Sequence, residues 1–196
     1  MPKAEETKAW IIEKTAPVFN RKGFTGTTLS DMEEATGLTK GSIYNNFVNK
    51  DEVALAVFDY NLAMVNNLVS AEMSKHTTAK GQLLAYVNVY GNDVLKRPFP
   101  KGGCPVLNTA VESDDTHPEL RKKASAAITA WKNKIVSLIE KGKKDKEFRH
   151  SVNAEEVALT MVATIEGGIM VSKVTGRLNY LKTVMKSVEK MILDLE

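Results

Sequence analysis

A group of polar side chains occurs between residues 39 and 50: Thr39, Lys40, Ser42, Tyr44, Asn45, Asn46 and Lys50. Their hydroxyl, amide and ammonium groups match the donors and acceptors that base edges present in the DNA major groove. The same groups can bind phosphate oxygens, and Gly41 among them would let the backbone approach a duplex closely. The chemistry that this stretch indicates is therefore recognition by hydrogen bonding rather than the breaking of bonds.

Two short helices joined by a tight turn are predicted over residues 28–50, and they would position this polar group. Apolar residues recur at helical spacing in the first helix, and Thr28 followed by Asp31 matches an N-cap pattern. Gly37 can adopt the left-handed conformation that ends this helix. Thr28, at the helix start, could offer its hydroxyl and nearby amides to a phosphate.

The second helix is predicted to begin after Thr39 and to bury one apolar edge. Ile43 and Phe47 lie one turn apart and would face the first helix, so the polar residues point elsewhere. Such a pair is a helix-turn-helix. On spacing alone, the same pattern also fits an all-helical protein that never contacts DNA.

Residue identity favours DNA binding. The run TKGSIYNNFVNKDEV resembles the DNA-binding segment of the TetR family of bacterial transcriptional regulators, and Phe19, Gly23, Phe24 and Thr27 upstream resemble that family as well. The resemblance covers residues 7–58. It implies that Lys50 contacts a DNA phosphate, which would also relieve an unfavourable cation at a helix start. A solvated lysine is the alternative.

Length, charge and cysteine content narrow the class of protein. The chain has 196 residues, 43% of them hydrophobic, and a formal net charge of +3, so DNA affinity would need individually placed contacts. The single cysteine excludes an internal disulfide and a multi-cysteine zinc site, and we expect no metal and no cofactor. We find no apolar run near 18 residues and no cleavable signal pattern, which predicts a cytoplasmic protein without membrane contact.

The apolar periodicity and the resemblance together predict an all-α fold of about nine helices. A three-helix DNA-binding headpiece would occupy residues 1–50, and a larger helical effector-binding and dimerisation domain residues 51–196. Helix one is predicted to run from about residue 5 to residue 22 as one helix, and a kink or an early end caused by Pro17 is the alternative. A long helix from residue 51 would link the two domains.

The segment GCPVLNTAVESDDTHPELRKK, residues 103–123, resembles a subset of TetR-like regulators with Gly-Cys, Asn and His-Pro-Glu-Leu. Within it, Thr116 is predicted to cap a helix that has proline in its first turn. Cys104 precedes a helix start, where amide dipoles can lower a thiol pKa and favour reaction with electrophiles. The alternative is a small buried hydrophobe.

The resemblance also implies a small-molecule effector, which the sequence does not name. Candidate lining residues between the later helices are Phe58, Tyr86, Tyr90, Phe99, Cys104, Leu107, Asn108, Trp131, Met161 and Ile165. Plain core packing explains each of them as well.

The last two helices carry apolar stripes that could complete a monomeric core or pair with a second copy. We favour a homodimer, because two recognition helices can then contact two half-sites of a palindromic operator. On this interpretation Lys40, Tyr44, Asn45 and Asn46 contact bases or phosphates. Thr28, Ser42 and Lys50 position the protein on the DNA backbone. The implied function is that of a repressor released by its ligand or by an electrophile.

Two other classes of function are alternatives. An enzyme would need a catalytic constellation, and we find no HExxH, no phosphate-binding glycine loop and no Ser-His-Asp pattern. A helical ligand-binding or scaffold dimer without DNA affinity is the second rival. The acidic pair Glu33-Glu34 and the modest net charge favour it.

Overall fold

The computed structural model describes residues 3–93 and 100–196, and every regular element in these ranges is helical. The α-helices are α1 (Lys3–Gly26), α2 (Leu29–Thr36), α3 (Lys40–Tyr44), α4 (Lys50–Met73), α5 (Ala79–Asn88), α6 (Pro105–Ser113), α7 (Pro118–Lys144), α8 (Ala154–Thr175) and α9 (Leu178–Leu193). A π-helical turn, Val89–Asp93, follows α5. The predicted all-α fold of about nine helices is confirmed.

The chain divides into two compact units. Unit 1 comprises Met1–Met64 and Pro100–Ser125, and unit 2 comprises Val65–Phe99 and Ala126–Glu196. Unit 1 therefore contains α6 and the start of α7 together with the three N-terminal helices, because α6 packs on α1. The functional division into a DNA-binding domain over residues 1–50 and an effector domain over residues 51–196 stays a prediction.

Helix α1 continues past Pro17, as the prediction of one helix from about residue 5 to residue 22 requires, so the alternative of an early end does not apply. Its buried residues Ile11, Ala16 and Phe19 lie on both sides of the proline, and their packing favours one continuous helix. The backbone instead leaves helical geometry at Gly23, with φ 74° and ψ 178°. One further turn then leads to Gly26 and into the connection to α2.

The ends of α2 and α3 follow the sequence prediction closely. Thr28 and Asp31 form a complete capping box, and Gly37 closes α2 at a φ of 70°. Thr39 caps α3 through its hydroxyl. Helix α3 is shorter than predicted, since it ends at Tyr44.

The predicted capping box at Thr116 is wrong in one detail. His117, rather than Thr116, occupies the cap position of α7, because its Nδ1 accepts a hydrogen bond from the Leu120 amide at 3.2 Å. Since Nδ1 is an acceptor there, the ring hydrogen lies on Nε2, which donates to Asp51 Oδ1 at 3.0 Å.

Unit 2 is built mainly from apolar contacts between α5, α8 and α9. Leu181, Met185, Val188 and Ile192 form the buried face of α9 at helical spacing. Gly168 on α8 allows a close approach to α9, since a Cβ there would lie 2.9 Å from Val184 Cγ1. Small residues and interlocking apolar side chains therefore determine how these helices pack.

Helices α4 and α8 each contain an apolar stretch of 18 residues, although no apolar run of this length was predicted from the sequence. Both are long and apolar enough to cross a membrane by length and composition alone, with mean hydropathies of 1.2 and 1.5 over 18 residues. The core helix of a soluble protein has the same properties. In α4 the buried residues include Val53, Val57 and Val65, and in α8 they include Met161 and Ile165, so packing accounts for part of this character.

Candidate nucleic-acid interface

The predicted DNA-contact residues remain accessible around α3. Thr28, Thr39, Lys40, Gly41 and Asn45 are exposed, and Ser42, Tyr44, Asn46 and Lys50 are half-buried. The apolar edge of the same segment faces inward, with Ile43 0% and Phe47 2% exposed. The surface around α3 therefore offers hydrogen-bonding groups on one side and anchors itself in the core on the other.

Two contacts that the sequence did not predict join α2 to its neighbours α3 and α1. Glu33 Oε1 accepts a hydrogen bond from the Lys40 amide at 2.7 Å, and Trp10 Nε1 donates to the Thr36 carbonyl at 3.0 Å. The carboxylate satisfies an otherwise unpaired amide in the first turn of α3. Glu33, one of the acidic pair that favoured the alternative without DNA affinity, thus caps the first turn of α3.

The asparagines after α3 differ in how freely they can contact a base. The Asn46 side chain donates one Nδ2 hydrogen to the Ser42 carbonyl at 2.9 Å, which ties down its orientation and leaves one hydrogen and the amide oxygen available. Asn45 is exposed and can present both a donor and an acceptor, the pattern that pairs with adenine. A Cβ at Gly41 would meet no atom within 4 Å, so the protein itself does not require glycine there.

The Lys50 side chain makes contacts within the protein that were not predicted from the sequence. Its Nζ donates to the carbonyls of Phe24 at 2.9 Å and Thr27 at 3.1 Å, and lies 4.3 Å from the Phe24 ring centroid. The charge is therefore compensated by backbone oxygens and by a cation–π contact, so an outside anion is not needed to balance it. One of the three ammonium hydrogens remains for a phosphate.

The start of α2 carries an ion pair beside its capping box. Lys22 Nζ lies 2.6 Å from Asp31 Oδ1. This bond, with those from the backbone and hydroxyl of Thr28, lowers the pKa of Asp31 to about 2. Thr28 Oγ1 also accepts a hydrogen bond from the Asp31 amide, so the hydroxyl and the carboxylate cap each other's backbone.

The candidate effector residues fall in both compact units. Phe58, Cys104, Leu107 and Asn108 belong to unit 1, whereas Tyr86, Tyr90, Trp131, Met161 and Ile165 belong to unit 2. Phe99 lies outside the described residues. Their participation in one effector pocket stays a prediction.

The burial of these residues fits their alternative role in the core. Tyr86, Tyr90, Met161 and Ile165 are buried, and burial raises the pKa of the Tyr86 hydroxyl. Trp131 is half-buried and donates to Asn66 Oδ1 at 2.9 Å. In unit 1 Phe58 and Asn108 line a cavity of about 30 Å³, which suits water better than an organic molecule.

Cys104 is fully buried, at 0% exposure, immediately before the Pro105 that starts α6. The structure thus agrees with the packing alternative and leaves the reactive one untested. Within residues 3–93 and 100–196 no group of three or more His, Cys, Asp or Glu side chains could hold a metal ion.

The capped α2, the tight turn at Gly37 and the exposed polar face of α3 define a helix-turn-helix DNA-binding protein. Residues 11–57 match the family model described as bacterial regulatory proteins, tetR family. Residues 79–188 match the model described as the Tetracyclin repressor-like C-terminal domain. The chain belongs to the TetR family of transcriptional regulators.

Solved structures and curated relatives agree with this assignment. A TetR-family transcriptional regulator from Cytophaga hutchinsonii is 47% identical, with a TM-score of 0.95, and the match covers 100% of this chain and 98% of that one. A TetR transcriptional regulator from Chloroflexus aurantiacus is 36% identical over 98% and 96% of the two chains, with a TM-score of 0.93. The transcriptional regulator TtgR of Pseudomonas putida is 27% identical over 84% of this chain and 79% of its own.

Membership of this family decides between the classes of function considered above. The protein is a transcriptional regulator with a helix-turn-helix DNA-binding domain and a ligand-binding C-terminal domain, and the family is not enzymatic. Its members are soluble DNA-binding proteins, and the role of repressor is typical of them. The predictions of a regulator rather than an enzyme, and of a TetR-like chain, are confirmed.

Proposed function

We propose that the protein is a cytoplasmic repressor that binds a palindromic operator as a homodimer and is released by a small ligand. The observation that carries this proposal is the accessible hydrogen-bonding surface around α3, anchored by Ile43 and Phe47. A relative from a Mycobacterium strain, 21% identical over 164 residues, is the transcriptional repressor DhaR, which supports repression as the direction of control.

The side chains of this surface divide into two proposed roles. Lys40, Tyr44, Asn45 and Asn46 contact base edges or phosphates, with exposed Asn45 best suited to reading adenine. Phosphate contacts that fix the orientation come from Thr28, Thr39, Ser42 and Lys50. Lys50 can serve in this way only through the hydrogen that the two carbonyls leave free.

An exposed apolar stripe on α8 supports the homodimer. Leu159, Met170 and Val174 are 50%, 49% and 82% exposed, and they lie with exposed Ala163 on one face at spacings of four and seven residues. A contiguous apolar stripe on a soluble protein marks an interaction surface, and a second copy is the occupant proposed here. Dimerisation would place two α3 helices against half-sites about 34 Å apart, or a multiple of that.

Selection of bound DNA from a random pool tests this function directly. The expected result is an enriched palindrome whose binding weakens steeply with salt, because phosphate contacts release counterions. Light scattering on the same preparation should give twice the chain mass of 21.6 kDa. A monomer without selected DNA would contradict the proposal, and a dimer without DNA would favour the scaffold alternative.

We also propose that an electrophile releases the protein from DNA by reacting with Cys104. In addition, we propose that the chain belongs to the subset of TetR-like regulators that resemble residues 103–123. Because the thiol is buried, an electrophile would need local opening around the start of α6 to reach it. DNA binding should therefore respond to electrophiles in the natural protein and not in Cys104→Ser. An unchanged response in this variant, or no response at all, would remove the electrophile from the proposal.

A further inference from the structure

Glu112 on α6 binds the backbone at the point where α1 leaves helical geometry. Its Oε2 accepts a hydrogen bond from the Phe24 amide at 2.7 Å, and its Oε1 accepts one from the Thr25 amide at 2.8 Å. These two amides are at the start of the last turn of α1, just after the break at Gly23. Amides at this position lack the carbonyl partners that a continuous helix would supply. A carboxylate that accepts two amides is a strong cap, because both bonds are charge-assisted.

Gly23 fits this contact in two ways. Its φ of 74° is in the left-handed region, which glycine adopts without strain. In addition, a Cβ at this position would overlap Glu112 Oε2. The break in α1 and the approach of the carboxylate therefore depend on the same residue.

The backbone carbonyls of the same short turn, residues 24–27, are bound by a positively charged side chain. Lys50 Nζ binds the carbonyls of Phe24 and Thr27, and the Thr27 hydroxyl donates to the Gly23 carbonyl at 2.6 Å. An anion on the amides and a cation on the carbonyls both act along the peptide dipoles of the same segment. The next residue is Thr28, which caps α2, so the turn sets where the helix-turn-helix begins.

Helix α6 is fixed on α1 by a second set of polar contacts, which places Glu112. The Asn108 side chain donates to the Asn20 carbonyl at 3.0 Å and to the Gly102 carbonyl at 3.0 Å. The Asn20 side chain in turn donates to the carbonyls of Lys101 at 3.0 Å and Gly103 at 2.9 Å. The carboxylate lies one turn further along α6 from Asn108.

We propose that Glu112 is a positioning residue for DNA binding, which acts on the helix-turn-helix without touching the duplex. By capping the amides of Phe24 and Thr25, it holds the entry to α2 in the orientation that presents α3. The recognition unit then extends beyond the contiguous N-terminal segment to α6, some 88 residues away in sequence. This inference rests on the proposed DNA-binding function.

The test compares Glu112→Gln with Glu119→Gln in the full chain. Glu119 is an exposed acid in the first turn of α7, so both variants lose one negative charge from unit 1. Loss of a negative charge alone strengthens binding to DNA, whereas loss of positioning weakens it. We expect operator affinity to fall about tenfold in Glu112→Gln, the order of effect of a charge-assisted hydrogen bond, and to stay equal or rise in Glu119→Gln.

Affinity is measured by fluorescence anisotropy on the selected operator, well below the unfolding temperature, at several salt concentrations. Hydrogen exchange of the Phe24 and Thr25 amides distinguishes a local cap from general stabilisation of the fold. Loss of general stability would speed exchange throughout the protein, whereas loss of the cap speeds it at these two amides. These amides should be protected in the natural protein, and selectively faster in Glu112→Gln than the amides inside α4.

Equal affinities of the two variants, or fast exchange of both amides in the natural protein, would overturn the inference. If Glu112→Gln does not fold, Glu112→Asp carries the same expectation, because it keeps the charge but withdraws the carboxylate by one methylene. A natural protein that binds no DNA would refute the proposed function. Exchange would still report whether the cap exists.

Discussion

The helix-turn-helix and the α8–α9 pair are held by different kinds of contact. Around α2 and α3, the positions of the helices depend on side chains bound to backbone groups: Thr28 and Asp31 at one cap, Glu33 on the Lys40 amide and Lys50 on two carbonyls. Between α8 and α9, buried apolar side chains and the small Gly168 determine the fit.

The difference follows from helix length. With 8 and 5 residues, α2 and α3 have most of their backbone groups near an end, where amides and carbonyls lack helical partners. With 22 and 16 residues, α8 and α9 satisfy most of theirs internally and offer long apolar faces. Substitutions of polar groups should therefore destabilise the first region, and changes of side-chain volume the second. The exception is the apolar anchor that Ile43 and Phe47 form under α3.

Phe47→Ala tests that anchor and should have the largest effect. Removal of this buried ring, 2% exposed, should lower the free energy of unfolding by about 3–5 kcal/mol. Chemical denaturation measures the loss. The neighbouring Val48→Ala is the control, since Val48 is 86% exposed and its truncation should change stability by less than about 0.5 kcal/mol. Similar losses in the two variants would contradict the assignment of Phe47 as the anchor.

Gly168→Val tests the tight fit of α8 against α9. The added methyl groups would collide with Val184, so we expect a loss of about 1–3 kcal/mol in thermal or chemical unfolding. Gly167→Ala is the comparison, because a Cβ there meets no atom within 4 Å and replaces glycine in a helix interior. That variant should gain up to about 1 kcal/mol, and a loss in both would show that volume is not the cause.

Thr28→Ala should show the dependence of the short helices on polar caps. Loss of the hydroxyl that accepts from the Asp31 amide should cost about 1 kcal/mol of unfolding free energy. Thr25→Ala is a fitting control, since Thr25 is exposed and its contact with Glu112 uses the backbone amide. If both variants were equally stable, the capping box would not contribute to stability as argued.

Lys22→Ala should have the smallest effect, which a pH titration can detect. The pKa of Asp31, about 2 in the natural protein, should rise towards the ordinary 3.8 when the ammonium is removed. Because this pKa is lowered by folding, the carboxylate stabilises the fold above pH 4 and loses its contribution as the pH falls towards 2. Carboxyl NMR measures the midpoint, and Lys14→Ala, which removes the ion pair with Glu13 and the cation–π contact with Trp10 but no contact with Asp31, should leave it unchanged.

Local patterns made much of the recognition element predictable. The caps at Thr28 and Thr39 and the glycine at the end of α2 depend on residues within four positions of one another, so spacing reveals them. The burial of Ile43 and Phe47 follows from helical periodicity in the same way. Pro17 left a kink or an early end of α1 open as an alternative, and packing on both sides of the proline outweighs its cost within the helix.

The partners of single charged residues were not predictable in this way. The charge of Lys50 was expected to meet an outside anion, yet the carbonyls that bind it lie 23 and 26 residues earlier in the chain. Glu33 was taken only for its charge, although its geometry makes it a cap for α3. A sequence shows which groups need partners but not which partner the fold brings within 3 Å.

The amino-acid sequence by itself determined the caps at Thr28 and Thr39, the end of α2 at Gly37, and the buried edge and polar face of the segment after Thr39, because these properties depend on neighbours a few residues away. Only the tertiary structure decided that α6 joins the N-terminal helices and that Glu112 meets the amides after Gly23. Contacts across nearly ninety residues depend on how the helices pack, and no local spacing encodes that packing.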